Sequence, residues 1–334
     1  MTPLLSPTRR RPARRGRTLL AWGTALALGF TAAGCGTTPE RTSAPSPFSS
    51  APATVGATAA DTHEQLHTDG GVREYVLHRP TTRNGTSRPL VIAFHGRGSS
   101  ATGLREQSRL NAAADARGML VAYPEGLRKA WGAGNATTRQ RPDPDTDVRF
   151  TESLVAELVR TEKADPRRVY VIGFSNGGSM ALRMAAQRPA LLAGAASVAG
   201  QLPSGHAAVK PTGAVPVMII YGAEDPVRPL AGLPTPGPAP AGEEPVTPTS
   251  SAKASAEAFA AAGRTGAPAT TTGTGYDRTV WGGTSRAAVQ LIVVHGGGHT
   301  WPGSTITPPQ GFGRTSSALN ATSTILDFFA ARAR

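Results

Sequence analysis

The chain has 334 residues, 39% of them hydrophobic, and is long enough to bury a sizeable core. Its formal net charge of +13 raises the question of a nucleic-acid partner, but six arginines and no acidic residue precede Cys35. The rest of the chain holds 29 basic and 22 acidic residues, scattered without a basic cluster, so nucleic-acid binding is not predicted. With Cys35 as its only cysteine, the chain has no internal disulfide.

The N-terminal segment is typical of an export signal. An arginine-rich stretch at 9–17 precedes an apolar stretch at 19–30 that is too short to span a bilayer comfortably. The small residues directly before Cys35 match the pattern that precedes the lipidated cysteine of bacterial lipoproteins. We predict a signal peptide over 1–34 and a lipid on Cys35, giving a protein anchored at the extracellular face of the membrane, or secreted. Simple cleavage and an uncleaved helix are the alternatives, and a twin-arginine signal fits poorly.

The remaining sequence divides into a tether and one domain. Residues 35–60 are rich in Thr, Ser, Pro and Ala and predict a flexible tether, followed by a single large domain over 61–334. Short apolar, β-branched runs alternate with helical periodicity, which predicts a mostly parallel sheet covered by helices on both faces, an α/β fold. The predicted strands are 73–78, 90–94, 120–123, a strand that ends just before Ser175, 193–198, 215–221 and 289–294. The predicted helices are 104–116, 148–162, 177–187, 252–262 and 322–331. Residues 229–249 predict a long proline-rich loop.

The most informative motif is Gly-x-Ser-x-Gly at 173–177. An apolar strand enters it and a helix leaves it, which is the context of a nucleophile elbow with Ser175 as the nucleophile. Such a site needs two amide donors for the oxyanion. We predict the amide of Asn176 and that of Arg97, which lies in the glycine-rich loop after an early strand.

A serine nucleophile needs a histidine base and an orienting carboxylate, in the chain order nucleophile, acid, histidine. Asp225 follows a predicted strand and is the preferred acid, with its neighbour Glu224 as the rival. His299 lies in a glycine-rich loop near the C-terminus and is the preferred base, with His295 as the rival. His206 precedes the acid and is therefore excluded.

Three further side chains are candidates for contact with substrate. Trp131 and Trp301 are predicted to stack against an aromatic acyl group or a sugar ring of the substrate. The alternative is that they cap the core beside the site. His95 is expected either to line the substrate site or to act as a structural histidine that braces the oxyanion loop.

With these residues placed, the chain resembles the bacterial polyhydroxybutyrate depolymerase and feruloyl esterase group of α/β-hydrolases from about Pro89 to the C-terminus. The resemblance is carried by the elbow and by five further blocks: Phe-His-Gly at 94–96, Tyr-Pro-Glu-Gly at 123–126 with Trp131, 147–150, 165–170 and 296–303. It implies a triad of Ser175, Asp225 and His299, an acyl-enzyme, and no metal or organic cofactor. The loop at 229–249 is longer than this resemblance implies.

The predicted function is that of a serine carboxylesterase. Its substrates are hydroxyalkanoate (polyhydroxybutyrate-type), feruloyl or related esters, small or oligomeric, and no protein partner is required. An acyltransferase that uses the same triad, and a non-catalytic surface binding protein on the same fold, are the alternatives.

Overall fold

The computed structural model describes residues 60–81, 87–235, 246–283 and 287–331. The predicted signal segment, Cys35 and the predicted tether lie outside these residues, apart from Ala60, with which the first strand begins. None of the helices in the described ranges has the length and apolarity needed to cross a bilayer.

The described residues form one sheet of ten strands in the order β1-β2-β4-β3-β5-β6-β7-β10-β9-β8. Their bounds are β1 Ala60–Thr68, β2 Gly71–Arg79, β3 Arg88–Phe94, β4 Leu120–Pro124, β5 Ala164–Phe174, β6 Gly194–Val198, β7 Val217–Gly222, β8 Ala269–Gly273, β9 Tyr276–Trp281 and β10 Val289–Val294. The six central strands, from β4 to β10 in this order, run parallel. Antiparallel strands extend both edges, so the predicted mostly parallel sheet is confirmed.

Helices cover both faces of the sheet, as predicted. They are α1 Ala101–Ser108, α2 Leu110–Asp115, α3 Thr146–Glu162, α4 Asn176–Gln187, α5 Ala252–Ala262 and α6 Ala321–Ala330. Side chains of α3, α4 and α5 share one buried cluster, and those of α1, α2 and α6 share the other. Val169 and Val171 of β5 point into the first cluster, whereas Tyr170 and Ile172 point into the second. This alternation along a strand buried on both faces explains why the strands read as continuous apolar runs.

Three parts of the fold differ from the sequence prediction: the first helix, the hairpin of β8 and β9, and β1, which was not predicted because its residues are largely polar. The helix predicted over 104–116 is interrupted at Arg109, whose left-handed backbone (φ 51°) separates α1 from α2. The hairpin of β8 and β9 was not predicted, because β8 is made of exposed Ala, Thr and Gly residues and has no apolar face. Edge strands of this kind are held by backbone pairing with a neighbour rather than by their own burial.

The topology places one crevice at the carboxyl ends of the strands. From β3 the chain adds β4 on one side and later β5 on the other, so the loops after β3 and β5 leave in opposite directions. The loops after β7 and β10 start at the same edge of the sheet as the loop after β5, because these strands run parallel to β5. Side chains from four separate loops can therefore meet there.

Candidate active site

The turn after β5 is a tight elbow that only glycines permit. Ser175 has φ 54° and ψ −117°, a conformation that a residue with a side chain rarely adopts. A Cβ added at Gly173 would lie 2.1 Å from the carbonyl oxygen of Gly177, and one at Gly177 would lie 2.1 Å from that of Phe94. The two glycines therefore let β3, β5 and α4 approach closely enough to lift Ser175 above the strand ends.

Three side chains form a hydrogen-bonded series at this elbow. His299 Nε2 lies 2.7 Å from Ser175 Oγ, and His299 Nδ1 lies 2.7 Å from Asp225 Oδ2. An ionised carboxylate can only accept, so Nδ1 donates to Asp225 and Nε2 is left to accept the serine proton. This is the arrangement of a nucleophile, a base and an orienting acid.

The acid and the base are fixed by their own surroundings. Asp225 Oδ1 accepts the amides of Val227 at 2.9 Å and Arg228 at 2.7 Å, which leaves Oδ2 to His299. The His299 amide donates to the Phe312 carbonyl at 2.6 Å, and the imidazole packs against the Phe312 ring. A change of rotamer at either side chain would break the hydrogen bond between Asp225 and His299.

The two rival residues lie elsewhere. Glu224 is exposed, and the carboxylate beside His299 is that of Asp225. His295 is 46% exposed and its Nε2 lies 3.0 Å from Asp277 Oδ2. The hydrogen bonds from His295 and Thr272 lower the pKa of Asp277, so this is a surface pair on the β9–β10 edge.

His95 braces the oxyanion loop instead of facing substrate, which corrects its assignment as a substrate-binding residue. The Gly126 amide donates to His95 Nε2 at 3.0 Å, so the other nitrogen, Nδ1, carries the proton and donates to the Gly96 carbonyl at 2.8 Å. Both ring nitrogens are occupied and the side chain is fully buried. The loop from Gly96 onward is thereby held against the turn that follows β4.

Trp301 also departs from its predicted role. It is 1% exposed, packs in the core beside α6 and donates from Nε1 to Thr322 Oγ1 at 3.0 Å. Its ring therefore has no face open for stacking, and the alternative reading, a cap on the core, fits this placement. Trp131 is 3% exposed, but it lines a cavity next to the catalytic one.

The side chain of Asn176 has a structural contact that the sequence did not indicate. Its Oδ1 accepts the Trp131 amide at 2.7 Å and its Nδ2 donates to the Trp131 carbonyl at 3.0 Å. The pair joins the start of α4 to the segment after β4. The Asn176 amide lies in the first turn of α4, where amides have no acceptor within the helix.

Two adjoining cavities open at this edge of the sheet. Ser175, Asn176, Arg97 and His299 line a cavity of about 620 Å³, the catalytic cavity. Its apolar lining comes from several loops: Phe174, Val227, Leu233, Val246, Ile306, Pro308, Pro309 and Phe312. A second cavity of about 610 Å³ contains Trp131 and shares Arg97 and Val246 with the first. No group of three or more His, Cys, Asp or Glu side chains in the described ranges is arranged to hold a metal ion.

The predicted long loop at 229–249 borders the catalytic cavity. Its described ends pair through Leu233 and Thr249, whose amides each donate to the other's carbonyl at 3.1 and 3.0 Å. The Thr249 hydroxyl also donates to Gln201 Oε1 at 2.7 Å. Residues 236–245 of the loop lie outside the described residues.

A strand–turn–helix elbow at the edge of a largely parallel sheet, with histidine and acid on later loops, defines the class of α/β-hydrolases. Comparison with known proteins agrees. A model of the phospholipase/carboxylesterase family matches residues 81–233. The protein named "Putative esterase NocK" from Nocardia uniformis subsp. tsuyamanensis is 42% identical over 335 residues, which span 92% of this chain and 96% of that protein. The chain belongs to the phospholipase/carboxylesterase family of α/β-hydrolases.

Two further relatives are similar over parts of their length or in fold alone. Feruloyl esterase B of Piromyces equi is 30% identical over 46% of this chain, corresponding to 30% of that protein. The acetyl xylan esterase from Aspergillus awamori aligns with a TM-score of 0.51 over 81% of this chain and 99% of that one, at 17% identity. The latter likeness concerns the fold.

Proposed function

We propose that this protein is a serine carboxylesterase that works through an acyl-enzyme on Ser175. The observation that carries the proposal is the series Ser175–His299–Asp225, with both hydrogen bonds at 2.7 Å. Ser175 Oγ attacks the ester carbonyl while His299 Nε2 takes its proton, and the collapse of the tetrahedral intermediate returns that proton to the leaving alcohol. Water then repeats the sequence on the acyl-enzyme and releases the acid. Asp225 holds the imidazole in the required tautomer throughout.

The oxyanion of each tetrahedral intermediate is assigned to the amides of Asn176 and Arg97. Both residues line the catalytic cavity with Ser175. A Cβ added at Gly96 would lie 3.6 Å from Ser175 Cβ, so the loop that carries Arg97 passes directly beside the nucleophile. Donors fixed in this way stabilise developing charge without having to reorganise.

The substrate class is proposed as esters with an apolar or aromatic acyl group, feruloyl or hydroxyalkanoate esters among them. Support comes from the mainly apolar walls of the catalytic cavity, which suit such a group. Two partial relatives are named feruloyl esterase and acetylxylan esterase. These names support an ester substrate with a feruloyl acyl group or a carbohydrate part. Trp131 borders the second cavity, but it is 3% exposed and its ring packs against Phe94 and His95, which fits the predicted cap on the core rather than stacking on substrate.

Export and attachment to the membrane through a lipid on Cys35 are likewise proposed, and rest on the sequence before that residue. The test expresses the full chain and its Cys35→Ala variant in a bacterial host and compares membrane and soluble fractions. Equal membrane content for both would reject the lipid anchor.

The proposed activity is tested with an ester panel: methyl ferulate, acetylated xylan, a hydroxybutyrate oligomer, and p-nitrophenyl esters of increasing chain length. Each is measured with the wild type and with Ser175→Ala, which removes only the nucleophilic oxygen. Hydrolysis that depends on Ser175 supports the proposal, and the preferred member names the acyl group. No hydrolysis by the wild type, or equal hydrolysis by both proteins, would reject it.

A further inference from the structure

A buried arginine at the catalytic cavity has no role in the chemistry described above. Four arginines in the described ranges are buried: Arg73, Arg141, Arg183 and Arg228. The first two pair with Asp147 at 3.0 Å each, and Arg183 pairs with Asp145. Arg228 differs, because no carboxylate of the described residues lies within 4.0 Å of its guanidinium.

The contacts that Arg228 does make leave much of its guanidinium unsatisfied. Its Nη1 donates to Ser179 Oγ at 3.2 Å, a neutral acceptor one helical turn beyond Ser175 on α4. Its backbone amide and carbonyl are used separately, by Asp225 Oδ1 and the Tyr221 hydroxyl. Asp225 attracts Arg228 electrostatically but forms no ion pair with its guanidinium, because Oδ2 is bound to His299 and Oδ1 to two amides, one of them the backbone amide of Arg228 itself.

The surroundings of Arg228 favour an anion from outside the chain. The side chain is 7% exposed, and that exposed part lines the same cavity as Ser175 and His299. Burial is the main cause that lowers the pKa of Arg228; the positive charge of Arg97 also lowers it, whereas Tyr221 and Asp225 raise it. Glu106 is the acidic residue of the cavity lining, but it is 59% exposed and points to Arg105. Burying a cation without an ion-pair partner is unfavourable, and an anion bound beside it offsets part of that cost.

Resting on the proposed esterase function, we infer that Arg228 is a specificity-determining residue that binds a carboxylate of the substrate. The preferred esters then carry a free carboxylate in addition to the ester group, close enough to reach Arg228 while the ester carbonyl lies at Ser175. Guanidinium and carboxylate form charge-assisted, often bidentate hydrogen bonds, which suits the free donors of Arg228. The apolar walls accommodate the chain that joins the two groups.

The test compares two esters that differ only at the end of the acyl chain, where one has a carboxylate and the other a methyl group. Mono-p-nitrophenyl adipate and p-nitrophenyl hexanoate have acyl chains of the same length, and the first ends in a carboxylate. The readout is the ratio of their kcat/KM values, which damage to the catalytic triad would leave unchanged. In Arg228→Gln this ratio falls by about tenfold or more, mainly through KM for the adipate, since hydrogen bonds to charged groups contribute at least that much. Arg228→Lys, which keeps the charge but not the planar fork, gives an intermediate ratio.

Arg167→Gln is the matched control, because this arginine is 83% exposed at the other end of β5 and its loss changes the net charge equally. Its ratio stays at the wild-type value. A ratio in Arg228→Gln within about twofold of wild type would overturn the inference.

A measurement on the wild type covers the case in which the variants do not fold. Adipate inhibits hexanoate hydrolysis competitively, while 1,6-hexanediol at the same concentration does not. Equal inhibition by both, or by neither, would also overturn the inference. If the wild type hydrolyses the hexanoate and Ser175 reacts with a fluorophosphonate, such a result rejects only the role of Arg228. If neither happens, the proposed function itself fails.

Discussion

At the scale of single residues, the site depends on one strained serine and the groups that hold it there. Ser175 keeps an unfavourable backbone conformation (φ 54°), which costs about 1–3 kcal/mol at such positions. The surrounding strands and α4 impose that conformation, and they can approach so closely because Gly173 and Gly177 have no Cβ. Strain of this kind keeps the hydroxyl presented to His299 in the resting protein.

Gly177→Ala is expected to lower the free energy of unfolding by at least about 3 kcal/mol, because the new methyl group would meet the backbone of β3 at 2.1 Å. Chemical denaturation checks this. Gly266→Ala is the control, since nothing lies within 4 Å of a Cβ at that position. A Gly177→Ala protein as stable as the control would contradict the close packing described for the elbow.

The triad could be predicted from the sequence, whereas the neighbouring contacts could not. The elbow motif, the chain order and the loop positions favoured Ser175, Asp225 and His299 over the rivals Glu224 and His295, and the structure brings these three residues within hydrogen-bonding distance. Trp301 was misassigned, because its closeness in sequence to His299 does not fix the direction of its side chain, which points into the core. The lack of an ion-pair partner for Arg228 among the described residues could not be predicted from the sequence either, because it depends on how the chain folds.

At the scale of elements, the loops after β4 and β10 shape the two cavities. The loop after β4 is held by Asp147 of α3, which accepts from Arg73, Arg141 and the Gly132 amide and is fully buried. This explains the block at 147–150 that the sequence singled out without a mechanism. The loop's own sequence has no periodicity, so its position could be found only through these long-range contacts.

Asp147→Asn is expected to lower the free energy of unfolding by about 3–5 kcal/mol, because it leaves two buried guanidinium groups without their carboxylate. Thermal and urea unfolding check it. Asp143→Asn, at an exposed ion pair with Arg149, leaves the stability close to that of the wild type, because solvent screens such pairs. Similar losses of unfolding free energy in both variants would show that the buried network stabilises the fold no more than an exposed ion pair does.

The loop after β10 carries Ile306, which is 49% exposed at the rim of the catalytic cavity. Ile306→Asp is expected to raise KM for apolar p-nitrophenyl esters about fivefold, by removing roughly 1 kcal/mol of apolar contact with the acyl chain. Val72→Asp is the matched control, since Val72 is equally exposed but lies on β2, outside the cavity lining. An unchanged KM in Ile306→Asp would place the acyl group elsewhere.

At the scale of the whole molecule, the sheet order decides where the site forms. The parallel strands follow from the alternation of apolar runs and helices, which the sequence shows clearly, whereas their order in the sheet is a property of the folded chain. The antiparallel additions at both edges do not, because β1 and β8 are largely polar and gain their place by pairing. All described parts of the site lie within 87–331.

A protein starting at residue 60 is therefore expected to keep the kcat/KM of the full chain on soluble esters within about twofold, and its thermal midpoint within roughly 2 °C. β1 is retained and pairs with β2 along nine residue pairs, from Ala60–Arg79 to Thr68–Gly71. Starting instead at residue 70 removes that strand, and we expect a lower midpoint. A chain from residue 60 that does not fold would contradict a domain that begins there.

The central claim, that Ser175 forms an acyl-enzyme, is tested most directly by rapid quenching during p-nitrophenyl ester turnover, followed by peptide mass spectrometry. The account predicts the acyl mass on the peptide that contains Ser175, accumulating with the burst of p-nitrophenol and missing in Ser175→Ala. An acyl group on another residue, or turnover at the wild-type rate by Ser175→Ala, would contradict it.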